Sequence, residues 1–310
     1  MNRITKPSRC IGIASSPLKT NYIQMKKSVL MFLLCLIASF GAFSQKQPTI
    51  TLSKAEKGKI ELRLALKSPG TIAVDWGNNK PKNYEINASA KIAEATVISE
   101  SVAENAIVKI YADDLIFLYC REQVLATLNL QNAQEIRVVD CAINNLTELN
   151  TSKNAELNYL NCHKNNLKEL DLSTNPKIKT LNCSYNSLEQ LNLSNNKILE
   201  HVSVFENKIS SLTLSTPNKI NTLLASKNKL STLDMAGATS LTYLDINTNL
   251  FDACALNKVF AALAVNKKAS DGTANLKINH NAGAATSNTA IAEEKNWVLD
   301  RKGKGNANCN

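Results

Sequence analysis

Apolar and polar positions recur with a fixed period of 21 residues between Leu115 and Phe251. Counting each repeat from its first residue, position 1 is Leu115, Ile136, Leu157, Ile178, Leu199, Ile220 and Leu241. Position 4 is Leu118, Val139, Leu160, Leu181, Val202, Leu223 and Leu244. Position 6 is Cys120, Cys141, Cys162 and Cys183, followed by Val204, Ala225 and Ile246. Position 9 is Gln123, then Asn144, Asn165, Asn186, Asn207, Asn228 and Asn249. Position 11 is Leu125, Leu146, Leu167, Leu188, Ile209, Leu230 and Phe251, and positions 14 and 16 are mostly leucine. A repeat of this length predicts a solenoid with one coil per 21 residues.

Positions 4 and 6 alternate inward along a short strand. No such strand buries its face alone, so the coils stack and share one core. The asparagine at position 9 falls where the chain turns off the strand. Its side-chain amide has the donors and acceptor to satisfy backbone groups left unpaired by a turn inside the stack. A site that takes Cys, Val, Ala or Ile is a small inward-facing core site, and a buried free cysteine behaves as a small hydrophobe. The chemical alternatives for the four cysteines are zinc and disulfides. Zinc needs converging ligands, which a file of parallel side chains does not supply. A disulfide needs closer Cβ atoms than in-register parallel neighbours provide.

Both flanks depart from the period. Residues 46–114 read as short β segments: TITLS, KIELRLAL, TIAVDWG, NYEIN and IVKIYAD. The stretch Asp75–Lys80 reads as a hairpin turn, with calcium binding through Asp75 as an alternative. After Phe251, Leu256, Val259, Phe260 and Leu263 fall at helical spacing. NLKINHN reads as a strand after an Asp271-Gly272 turn. SNTAIAEEKNW reads as a helix with Ser287 or Asn288 as N-cap, and VLD closes the cap. Cys254 and Cys309 flank this region and either pair across it or leave Cys309 free.

Composition changes the picture through the first 44 residues. From Met25 the order is two lysines, an apolar run from Val29 to Phe40, and small residues before Gln45. That is a secretory signal peptide with a cut after Ser44. The run is too short to favour a membrane span. Residues 1–24 precede a better start at Met25, so a mis-assigned start codon is expected, with a long leader as the alternative. Leu34 before Cys35 argues against a lipid anchor. Six of the 36 Lys and Arg lie in residues 1–44, which hold no acidic residue. The mature chain therefore carries 30 basic and 26 acidic residues, a net +4 where the whole chain has +10. No basic stripe with interleaved aromatics remains, so nucleic-acid binding is not expected. Export places the six remaining cysteines in an oxidising compartment.

Candidate chemistry adds little. The three histidines, His163, His201 and His280, come with no HExxH, GxSxG, P-loop or GxGxxG pattern. No enzyme activity, cofactor or metal is expected.

The motif L-x-x-L-x-C-x-x-N-x-L-x-x-L-x-L-S-x-N, over residues 115–251, resembles the cysteine-ladder repeats of internalin J-type leucine-rich-repeat proteins. Similar repeats occur in exported proteins of Bacteroidetes. The resemblance implies a parallel sheet on a concave face and a secreted or surface binding role, with the periplasm as a further location. The chain departs from the pattern in its last three coils, which lack the cysteine, and at Thr151. It has no LPxTG wall anchor. Asp75–Lys80 resembles the WGDG turn of small β-sandwich modules that precede such repeats, with Asn78 and Asn79 in place of Asp-Gly.

The expected fold is thus a leucine-rich-repeat solenoid with a small N-terminal all-β module and an α+β C-terminal cap. Its parts are the leader (1–44), a β-sandwich-like module (45–114), the repeats (115–251) and the cap (252–310). Positions 3, 5, 7 and 8 straddle the inward residues and are expected to face outward. They carry Phe117, Tyr119, Arg121, Tyr159, His163, Tyr185, His201, Phe205 and Tyr243. Exposed aromatics with Arg are usual anchors of protein interfaces, so a protein partner, host or bacterial surface, is expected on this face. Strand propensity for aromatics is the plainer explanation. The alternative role is an envelope or biofilm-matrix scaffold with no specific ligand.

Overall fold

The computed structural model describes residues 46–89, 91–266 and 274–301, together with Gly303 and Cys309. The expected leader and the Asp271-Gly272 turn lie outside the described residues. From Pro48 onward the chain forms one unit.

Six strands precede the repeats: β1 (Ile50–Lys54), β2 (Gly58–Leu66), β3 (Gly70–Asp75), β4 (Lys82–Ile86), β5 (Thr96–Val102) and β6 (Ile107–Tyr111). The first coil supplies β7 (Leu115–Tyr119) and β8 (Leu125–Asn129). Later coils supply the three-residue strands β9 (Val138–Asp140), β10 (Tyr159–Asn161) and β11 (Thr180–Asn182). Next come β12 (Gln190–Leu193), β13 (His201–Ser203), β14 (Ser211–Leu214), β15 (Thr222–Leu224) and β16 (Tyr243–Asp245). The C-terminal region holds α1 (Ala253–Ala262), β17 (Ala274–Lys277), α2 (Ala290–Glu293) and β18 (Trp297–Leu299).

One sheet of eleven strands runs in the order β18-β17-β16-β15-β13-β11-β10-β9-β7-β2-β5. Its coil strands pair parallel in the register of the repeat, Leu160 opposite Leu181 and Leu181 opposite Val202. Positions 1, 4, 6 and 11 are buried in every coil from Leu115 to Phe251. The protein is a leucine-rich-repeat solenoid, and its period is the sequence period.

The first coil belongs to the repeats and to the module together. β7 pairs parallel with β9 on one side and antiparallel with β2 on the other. β8 pairs antiparallel with β1 in a five-stranded sheet, β4-β3-β6-β1-β8. The module therefore covers the open end of the solenoid with paired backbone, and one core runs through both. Asp75 closes the β3–β4 turn: its Oδ1 accepts from the amides of Gly77, Asn78 and Asn79 at 3.0, 3.1 and 2.9 Å. Lys109 Nζ lies 3.5 Å from its Oδ2. Those bonds use the carboxylate in the turn itself.

The solenoid continues past the point where the period breaks. Leu276, Ile278 and Asn281 occupy positions 4, 6 and 9 of an eighth coil. Asn281 follows Asn249 by 32 positions because α1 and the chain after it are inserted. Asp252 caps α1 by accepting from Ala255 N at 2.7 Å. Leu256, Val259, Phe260 and Leu263 are buried, as the helical spacing requires. The second helix starts later than expected, after Thr289 rather than Ser287 or Asn288. Ser287 is fully buried with its hydroxyl donating back to Ala284 O, and Asn288 N donates to Asn257 Oδ1. The Ser287 hydroxyl is thus not left to cap the helix.

Candidate binding face of the long sheet

Strand alternation turns positions 3 and 5 away from the core. At position 3, Tyr159, Thr180, Thr222 and Tyr243 are half-buried and His201 is exposed. Phe117 does not join them. It is 0% exposed, packed with Ala65, Ala95 and Ile116. The chain leading into β5 brings Ala95 onto this end of the face, so Phe117 is a core residue of the junction and not a surface anchor. The accessible face starts at Tyr119, whose ring lies 5.6 Å from the Arg63 guanidinium of β2.

Positions 7 and 8 are turn residues, which corrects the expectation that they flank inward residues along a strand. The coil strands end at position 5. Position 8 has a positive φ in every coil: Glu122, Ile143, Lys164, Tyr185, Glu206, Lys227, Thr248 and His280 all lie between 52° and 60°. L-residues rarely hold that conformation. In the coils after the first, whose position 9 is Gln123, the position-9 asparagine braces this turn. Asn165 Nδ2 donates to Cys162 O in its own coil and to Cys141 O in the previous one, both at 3.0 Å. Its Oδ1 accepts from Leu146 N at 3.0 Å. The same pattern holds from Asn186 to Asn249.

The turn geometry builds a row of rings. His163 and Tyr185 meet edge to face at 5.0 Å, and Tyr185 meets Phe205 the same way at 5.1 Å. Lys227 Nζ stands 5.1 Å from the Phe205 centroid. Tyr185 is the most exposed of the three at 40%. Tyr159, His201 and Tyr243 stay apart, each two strands from the next, about 10 Å. Tyr243 is covered by Lys277 Nζ at 5.4 Å.

Sequence reasoning missed a buried polar pair beside this row. Asp140 is 3% exposed and Asn161 6%, both at position 5. Asp140 accepts from Ala142 N at 3.1 Å and from Asn161 Nδ2 at 2.9 Å. Burial pushes its pKa above the usual carboxylate range, although those two bonds, Arg121 and His163 oppose the shift. Burial also lowers the pKa of His163, with Arg121 and Lys164 acting in the same direction. Burial, with Asp140 second, raises that of Tyr159. The signal was present in the sequence as Asp followed by Asn at one outward position of neighbouring coils.

Coils three to six present an uncharged field. Positions 3, 5 and 7 there are Tyr159, Asn161 and His163; Thr180, Asn182 and Ser184; His201, Ser203 and Phe205; Thr222, Leu224 and Ser226. None is Asp, Glu, Lys or Arg, although 20% of the chain is charged. Charges begin at position 8, where Lys164, Glu206 and Lys227 alternate with Tyr185, and at position 2; Lys179–Glu200 at 3.6 Å and Lys227–Glu206 at 3.2 Å form ion pairs.

The cysteines take no part in this face. Cys120, Cys141, Cys162 and Cys183 are free and fully buried. Burial pushes the Cys183 thiol up to about 12 and raises the other three well above the ordinary value. Cys254 and Cys309 are joined in a disulfide, Cα to Cα 5.3 Å. Among the described residues, no three His, Cys, Asp or Glu side chains converge as a metal site would need, and no helix is long and apolar enough to cross a membrane.

No family model matches the chain, and no curated protein matches it. Solved structures to which it is similar include the functional domain of InlJ from Listeria monocytogenes, described as including a cysteine ladder. That match has 21% identity and a TM-score of 0.40 over 58% of this chain and 47% of that one. A leucine-rich-repeat protein of Leptospira interrogans matches with 18% identity and a TM-score of 0.42, over 55% and 50% of the two chains. An internalin (inlF) of Listeria monocytogenes matches with 17% identity and a TM-score of 0.41, over 60% of each. The match thus spans about half to three fifths of each of these proteins.

Proposed function

We propose that this is an exported, non-enzymatic protein-binding module that recognises a host or bacterial surface protein through the outer face of its long sheet. The observation that carries the reading is the uncharged field of coils three to six, with its row of rings and its charged margin. Protein interfaces have this anatomy: a centre depleted of charge and enriched in aromatics, inside a polar rim. Stacked coils hold the rings in place before binding, so little ordering cost remains. Export is supported by the charge–apolar–small order of residues 25–44 and by the Cys254–Cys309 disulfide, a bond that persists in oxidising compartments.

The test is a pull-down with the mature chain against host extracellular-matrix proteins and bacterial surface extracts. It is repeated with Tyr159, Tyr185 and Phe205 changed together to Ser. A partner retained by the native chain and lost by the folded triple variant is the expected result. Equal retention by both chains removes the face from the reading.

A further inference from the structure

We propose that β5 is a docking edge on which a second copy of this chain adds antiparallel, joining two eleven-stranded sheets about a two-fold axis. This surface is distinct from the outer face of the repeats.

β5 ends the long sheet. It pairs along all seven of its residues with β2, from Gly58–Val102 to Leu64–Thr96, with no bulge. Among the described residues no strand pairs with its other side. Sheet edges in monomeric proteins are usually blunted by lysines, proline, a bulge or short length. β5 has no lysine, proline or bulge and runs for seven residues. Its one charge, Glu100, lies on the core side with Ile98 and Val102, where a lone charge would oppose pairing, but it is neutralised by Lys82 of β4. Val97 is 49% exposed beside exposed Ser99 and Ser101, while Ile98 and Val102 are buried. A seven-residue strand with a core side and an accessible side is a template for strand addition.

A second copy of β5 fits this edge in one register. Residues opposite each other across a strand pair must lie on the same face, or the core side of one strand meets the solvent side of the other. For two antiparallel copies this requires a residue on the axis. With Ser99 on the axis all seven residues pair: Thr96 with Val102, Val97 with Ser101, and Ile98 with Glu100. Moving the axis to Glu100 sets two like charges directly opposite, which is destabilising. Moving it to Ile98 leaves two residues of each strand without a partner. In the Ser99 register each Glu100 keeps its own Lys82 and faces no acidic residue. The contact is isologous and closes as a dimer.

Sedimentation velocity of the mature chain over a range of concentrations tests this. A rise from monomer to dimer mass is expected, and a single monomer mass throughout overturns it. The double substitution Val97→Lys, Ser99→Lys is expected to stay monomeric with a native near-UV spectrum. A folded double variant that still dimerises places the contact elsewhere and overturns it. Ser99→Cys gives a readout that does not depend on the lysine variant folding. The two introduced thiols face each other across the axis and form an intermolecular disulfide under mild oxidation, whereas the four ladder thiols are buried. Failure to cross-link at concentrations where the native chain is dimeric also overturns the proposal. None of these substitutions touches Tyr159, Tyr185 or Phe205, so partner binding by the lysine variant is measured separately.

Discussion

Asn207 Nδ2 donates to the carbonyl of Cys183, one coil away, at 3.0 Å. The same nitrogen donates to Val204 O at 3.1 Å, and Oδ1 accepts from Leu188 N at 3.0 Å. One side chain thus satisfies groups in two coils. Asn207→Ala removes these bonds in a part-buried turn and leaves polar backbone atoms unpaired. A loss of about 2–4 kcal/mol is expected, since each unsatisfied group costs about 1–3 kcal/mol. Urea unfolding measures it, and a loss below about 0.5 kcal/mol, the usual size for an exposed site, contradicts the ladder.

The cysteine ladder makes stability fall on the alkaline side. Burial raises the folded-state pKa of each thiol, to about 12 for Cys183. The contribution is fully present below the unfolded value of about 8.5 and is lost as pH rises towards the folded one. Cys183→Val, the residue that coil five carries as Val204, removes that site's share. Unfolding between neutral and alkaline pH should show a shallower decline in the variant. At neutral pH a thiol reagent should label none of the four ladder cysteines in the folded chain and all four after denaturation.

Asp140 predicts a pH-dependent change on substitution. Its folded pKa is raised, so the stability linked to it is present below the unfolded carboxylate value and lost as pH rises through the folded one. Asn is the residue at the same position in the next two coils, Asn161 and Asn182. Asp140→Asn retains a carbonyl to accept from Ala142 N, gives up the bond from Asn161 Nδ2 and ends the cost of burying a charge. Thermal unfolding should show the variant gaining stability relative to the native chain as pH rises from acid to neutral. A difference between the two chains that does not change with pH contradicts the assignment.

The repeat and its inward set were legible because burial within a coil is decided by residues of the same register. Phe117 was not legible, because Ala65 and Ala95 cover it from distant sequence. The eighth coil was legible in principle as Leu276-x-Ile278-x-x-Asn281, but the inserted α1 displaced it from the period. The last asparagine of the motif was read without a role, and it builds a second ladder. Asn154, Asn175 and Asn196, at position 19, donate to carbonyls of the preceding coil. Positions 7 and 8 were misread because strand alternation was carried past a strand only three residues long.

The C-terminal end should depend on Asp300. In each coil the position-6 amide donates to the next coil, as Ile246 N does to Lys277 O at 2.9 Å. Ile278 N donates instead to Asp300 Oδ1 at 3.0 Å, and Asn279 Nδ2 donates to Oδ2 at 2.9 Å. The carboxylate takes the place of the main-chain carbonyl that accepts this amide in the other coils. Asp300→Ala should cost about 1–3 kcal/mol, and hydrogen exchange should speed up first at Ile278. Unchanged exchange there contradicts the capping role.

Position 8 separates stability from recognition. Lys164 and Tyr185 hold φ of 55° and 54° in successive coils, and both are exposed. A left-handed L-residue costs about 1–2 kcal/mol, which glycine avoids, although glycine loses about 0.5–1 kcal/mol of backbone entropy. Lys164→Gly should therefore raise stability slightly, by about 0.5 kcal/mol as the difference of those two effects, and leave partner binding intact. Tyr185→Gly gains the same relief but loses the ring held between His163 and Phe205. Its stability should stay near that of the native chain while partner retention in the pull-down falls at least tenfold, about 1.4 kcal/mol. Loss of binding in both variants points to the turn backbone rather than the ring. Retention in both removes Tyr185 from the proposed interface.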